Sequence, residues 1–165
     1  LEIEIDNNKI VLQKKDRAIG TEAPAMRVKM DSGETKVIGM MADKIQVFIT
    51  MPNEKSLTNE LEAILTKHSP KSLIYIISAN TITKELNNIT TSSDFKDYSL
   101  KMGVNIDDTL CAKSIFIINK EGEIEYKEIV PNLSDEFNIT ELDENLDKAI
   151  KFKKKGHTHE NWMGV

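Results

Sequence analysis

Cys111 is the only cysteine in this chain of 165 residues, so no intramolecular disulfide can form. A lone thiol does chemistry as a thiolate, and Lys113, two residues on, carries the positive charge that would lower its pKa. The competing reading is a small buried apolar side chain, a common fate of free cysteine. A second group lies near the C-terminus. His157 and His159 stand at i and i+2, which puts both imidazoles on one side of an extended segment. Glu160 adds a carboxylate, and borderline metal ions accept such ligands. Two histidines and one carboxylate are a sparse set, and no Cys or Asp cluster elsewhere in the sequence joins them. A polar tail docked by Trp162 and Met163 therefore competes with the metal site.

The third place is a loop, Thr50 to Thr58. Ile45, Val47, Phe48 and Ile49 read as a short buried strand. The chain breaks at Thr50-Met51-Pro52-Asn53, after which Leu57, Leu61, Ile64 and Leu65 recur at helical spacing. Open α/β sheets place ligands and reactive groups outside the carboxyl ends of their strands. The N-terminus of the following helix favours negative charge, a thiolate included. Yet Thr50, Pro52, Asn53, Lys55, Ser56 and Thr58 bring no Cys, no His and no nucleophile with an evident base.

The elements that must position these residues follow in order. Ile3, Ile5, Ile10 and Leu12 around Asn7-Asn8 predict a β-hairpin. Val28 and Met30 alternate with charge before an Asp31-Ser32-Gly33 turn, and Val37 to Met41 leads into the strand at Ile45. The helix after the loop stops near His68-Ser69-Pro70. Leu73 to Ile77 is apolar on both faces, as in a central strand covered by helices on both sides. Thr81 to Ser93 reads as a short helix or loop. Asp94 to Met102 reads as a helix ended by Gly103. Ser114 to Asn119 and Ile124 to Val130 make a hairpin across Glu121-Gly122. Thr140 is the expected N-cap of a last helix to about Lys151. Lys151 and Lys153 to Lys155 read as a solvated helix end. The sequence divides into one domain, 1–152, and a tail, 153–165. A βαβ unit followed by a helix and an antiparallel hairpin is the thioredoxin pattern, predicting an α/β fold with a central mixed sheet flanked by helices and an N-terminal β-hairpin.

Composition narrows the partners. A net charge of −5 leaves no footprint for nucleic acid. No apolar run approaches the roughly 20 residues of a membrane span. The absence of paired cysteines fits a reducing, cytoplasmic setting. The sequence begins at Leu1 rather than Met, which is also compatible with a removed signal peptide. Nothing in the sequence calls for a cofactor. The lone Trp162 near the end suits packing against a second copy, so a homodimer is expected.

The order of short motifs from Ile3 to Ile150 resembles the thiol peroxidases, the atypical two-cysteine group of peroxiredoxins. Ile19-Gly20-Thr21-Glu22-Ala23-Pro24 is similar to that family's V-G-x-x-A-P, and Ile76-Ile77-Ser78-Ala79-Asn80 to its C-I-S-A-D. Ser93-Asp94-Phe95-Lys96-Asp97 is similar to L-S-D-F-R, and Ala112-Lys113-Ser114-Ile115-Phe116-Ile117 to A-R-A-V-F-V. Gly103-Val104, Asn119-Lys120-Glu121-Gly122 and Glu128-Ile129-Val130-Pro131 with Asp135-Glu136 continue the series. The resemblance implies the peroxiredoxin type of thioredoxin fold and a thioredoxin-dependent peroxidase ancestry.

The departures fall where the family does its chemistry. Its peroxidatic cysteine lies in a P-S-x-D-T-x-V-C loop. Counting back from Ser78 places that position near Lys55, counting on from Pro52 places it near Asn59, and Ser56 lies between. The resolving cysteine of the family has no counterpart, and its active-site arginine corresponds to Lys113, which keeps the charge but loses the planar fork. Serine does not replace the thiolate, since its pKa is far higher and the loop holds no base. The sequence thus predicts a redoxin domain without cysteine-based peroxide reduction, acting by binding a redox protein or another partner through the face around Thr50 to Thr58. The alternative is a one-cysteine peroxidase that has moved its nucleophile to Cys111.

Overall fold

The structure, a computed structural model, describes residues 1–151. Strand β5, Ile45–Met51, is buried along its whole length. It lies at the middle of a five-stranded sheet of order β11-β10-β5-β6-β7. Here β6 is Ser72–Ser78, β7 Ile89–Ser92, β10 Ser114–Ile118 and β11 Ile124–Ile129. The pairs β5–β6 and β6–β7 are parallel, while β10 runs antiparallel to both β5 and β11. The sheet is therefore mixed, as the sequence predicts.

Side-chain alternation splits the core into two layers. Ile45, Val47, Ile49 and Met51 join Ile74, Ile76, Ile115 and Ile117 on one face. Helix α1, Asn59–His68, and helix α3, Ile139–Lys151, cover that face with Leu61, Leu65, Leu142 and Leu146. Phe48, Tyr75, Ile77, Phe116 and Ile118 form the opposite face. Helix α2, Lys96–Met102, covers it with Tyr98 and Met102, and strand β3, Met26–Lys29, adds Met26 and Val28. The Tyr98 ring meets Phe48 edge-on at 5.6 Å and 85°.

The N-terminal hairpin pairs β1, Glu2–Ile5, with β2, Asn8–Val11. Its turn residues are Asp6 and Asn7, both with positive φ (49° and 67°), one position earlier than expected. A two-residue turn with both φ positive matches the twist of the strands it joins. Strand β3 pairs with β4, Thr35–Ile38, across the Asp31-Ser32-Gly33 turn. Val37 thus belongs to that hairpin rather than to an approach to β5.

The polar stretch Thr81 to Ser93, which the sequence predicts as helix or loop, ends instead in strand β7. Local preference at Ile89-Thr90-Thr91-Ser92 is short, and pairing with β6 supplies the missing support. The Thr91 carbonyl accepts from Asp31 N (2.9 Å) and the Thr91 hydroxyl donates to the Asp31 carboxylate (2.7 Å), which closes this edge. Helix α3 is capped by Asn138, not Thr140. Asn138 Oδ1 accepts from Glu141 N at 3.1 Å, and Glu128 holds Asn138 N in place. Helix α2 ends at Gly103 as expected, with φ +76°, where an added Cβ would lie 2.3 Å from the Lys15 carbonyl. A small hairpin of β8, Asn105–Asp107, and β9, Leu110–Cys111, carries the cysteine.

Candidate functional site

The loop beyond β5 is held at every step by a named bond. The Pro52 carbonyl accepts from Asn80 N (3.2 Å) and Asn80 Nδ2 (3.0 Å), tying the loop to the end of β6. Asn53 Oδ1 accepts from Lys55 N (2.9 Å) and caps a 3-10 turn, Glu54–Ser56. The Glu54 carboxylate accepts from the Thr83 hydroxyl at 2.6 Å, and that bond holds its pKa below the usual value. Thr58 Oγ1 accepts from Leu61 N (3.2 Å) and caps α1. Two helical starts thus follow one another within the loop.

A cleft of about 440 Å³ opens beside it. Pro52, Asn53, Lys55, Ser56 and Thr58 line one side, and Lys113 joins them. Asp6 from the β1–β2 turn and Ser134 and Glu136 from the segment after β11 line the rest. Lys113 is buried, donates to the Asp135 carbonyl, and stands 5.1 Å from the centre of the Phe137 ring. Burial lowers its pKa, while the charges of Glu136, Asp135 and Glu128 oppose that shift. Burial raises the Glu128 carboxyl, against the hydrogen bonds from Asn138 and Tyr126 and the charge of Lys113.

Thr50 stands apart from the rest of the predicted loop set. It is fully buried, its hydroxyl donates to the Ala112 carbonyl (2.7 Å), and it lies 2.5 Å from Ser114 Oγ. Thr50 therefore ties β5 to β10 beneath the loop. Of the positions matching the missing cysteine, Lys55 and Ser56 face the cleft. Asn59 is the first residue of α1, exposed, and lines a different depression with Glu62 and Lys84.

Cys111 is wholly buried, and its Sγ lies 3.8 Å from the Met51 carbonyl, under the start of the loop. Burial pushes the thiol up to about 12, against the lowering by Lys113 that the reactive one of the two sequence readings needs. The Lys113 ammonium is committed to Asp135 instead. The buried Tyr98 hydroxyl, which makes no hydrogen bond within the described residues, is raised by burial and then by the neighbouring Cys111. His157, His159 and Glu160 lie outside the described residues. Sequence reading missed Asp6 and Ser134, which come to the cleft from hairpin and turn positions with no chemical signature. It also missed that His68, Asp143 and Asp147 meet between α1 and α3.

No family model matches the chain. A thiol peroxidase from Aquifex aeolicus is 24% identical over 165 residues, covering 90% of this chain and 98% of that protein. A thiol peroxidase from Campylobacter jejuni is 26% identical over 162 residues, covering 86% and 90%. The crystal structure of a peroxiredoxin-like protein from Aquifex aeolicus matches with a TM-score of 0.75 at 24% identity, over 90% of this chain and 96% of that one. Sequence relatives that align along nearly their whole length and a fold shared over the same span agree with each other: the chain has the peroxiredoxin fold and is similar to thiol peroxidases.

Proposed function

We propose that this protein is a non-catalytic member of the thiol-peroxidase-like group that binds a redox protein or another protein partner through the cleft beside residues 50–58. One observation carries the reading: the loop where a peroxidatic thiol would stand has none, and the chain's single thiol is sealed below it. Peroxide reduction needs a thiolate to attack one peroxide oxygen while the other departs onto fixed donors. A thiol with a pKa of about 12 is ionised to roughly one part in 10⁵ at pH 7. The cleft keeps polar groups that suit recognition, with Lys55, Lys113, Ser56 and Thr58 set against Asp6 and Glu136. A reducing, cytoplasmic setting and pairing with a second copy belong to the same reading.

The competing reading, a one-cysteine peroxidase using Cys111, draws on the position of Sγ directly beneath the loop. One assay separates the two. Hydrogen peroxide consumption with a thioredoxin system is expected at the buffer rate, unchanged by Cys111→Ser. Turnover that Cys111→Ser abolishes establishes the one-cysteine enzyme and overturns the binding reading.

A further inference from the structure

The last residue of α1 meets α3 through three chemistry-bearing side chains that the cleft does not use. The His68 ring is almost completely buried, and its Nε2 lies 2.7 Å from Asp143 Oδ1. Lys67 donates to both oxygens of the same carboxylate (3.1 and 3.3 Å). One helical turn on, Asp147 Oδ1 faces His68 Nδ1 at 4.0 Å. That separation exceeds a hydrogen bond. His68 and Asp147 also line an open depression of about 260 Å³.

The two ring nitrogens therefore stand in different situations. Where Nε2–H donates to Asp143, the neutral ring presents its Nδ1 lone pair on the side of Asp147. A carboxylate behind one nitrogen and a vacant second nitrogen is the arrangement that orients a metal-binding imidazole. An ion bonded to a histidine nitrogen and a carboxylate oxygen at roughly 2.0–2.2 Å each spans about 3.4 Å between them in a tetrahedron. The half-exposed Asp147 side chain covers the difference by a small rotation. Imidazole with carboxylate suits zinc, nickel or copper rather than calcium or magnesium.

We propose that His68 Nδ1 and Asp147 bind a divalent transition-metal ion between α1 and α3, with Asp143 as the positioning residue behind the imidazole. Water fills the remaining coordination positions, and the ammonium groups of Lys71 and Lys151 at the same depression hold the affinity down. The site is thus exchangeable, and it is separate from the cleft beside the loop.

The test is zinc binding to the full chain by calorimetry, using zinc chloride alone, for the parent, Asp147→Asn, Asp143→Asn and the double variant His157→Ala/His159→Ala. The proposal expects one zinc per chain, retained by the tail variant and weakened at least tenfold by Asp147→Asn. Asp143→Asn keeps an acceptor for Nε2 but removes the charge, and it should weaken binding by about 10-fold or more without lowering the stoichiometry. Asp147 is half exposed, so its variant folds as the parent does. No zinc uptake, or uptake abolished by the tail variant and indifferent to Asp147→Asn, overturns the proposal.

Discussion

At the residue scale, two positions decide what the site can do. Cys111 has the right element for a nucleophile and the wrong surroundings. It is a thiol packed between Tyr98 and the Met51 carbonyl, with its ionisation pushed to high pH by burial. Ser56 has the right surroundings and the wrong element. It lines the cleft with Lys113, at the end of the 3-10 turn that leads into α1. Ser56→Cys should therefore create a reactive thiol where the parent has none. Its rate with a thiol reagent at pH 8 is expected to exceed that of Cys111 by at least tenfold, with a pKa at or below about 8.5. An introduced thiol as inert as Cys111 would mean that Lys113 and the helix start exert no pull on the cleft.

At the element scale, hydrogen bonds cap or pin each turn of the loop. Thr58 closes the N-terminus of α1, Asn53 closes the 3-10 turn, and Asn80 pins Pro52 to the end of β6. Thr58→Ala should cost about 1 kcal/mol, read from the urea midpoint, since one amide at the helix start loses its acceptor. No change in midpoint would show that water serves that amide equally well. The helices and buried strands were legible in the sequence because their patterns are local. Leu61 and Leu65 mark the buried face of α1, and Ile74 to Ile77 mark a strand buried on both sides. Strand β7 and the Asn138 cap were not legible in the same way. The first exists through pairing with β6 and Asp31, and the second through Glu128 holding Asn138 ready, both contacts with residues of another element that no local pattern announces.

At the scale of the whole molecule, the fold keeps the framework of the thiol peroxidases the chain is similar to, and residues 50–58 carry no thiol. The mixed sheet still delivers the loop, α1 and Lys113 to one cleft, so the near wall of the site could be named from sequence. Its far wall could not, because Asp6 and Glu136 reach it only when the first hairpin and the segment after β11 fold together. Glu4 N donates to the Pro131 carbonyl (2.7 Å) and Leu133 N to the Glu4 carbonyl (2.9 Å) at that junction. Whether the single thiol takes part decides between a binding protein and an enzyme. The most direct measurement is the rate of reaction of Cys111 with a thiol reagent in the native protein from pH 4 to 10, with and without hydrogen peroxide. No reaction across that range until the chain is denatured, and no effect of peroxide, is the predicted result. Fast reaction with a midpoint below about 8.5, suppressed by prior peroxide, would contradict it and make Cys111 the nucleophile of a working peroxidase.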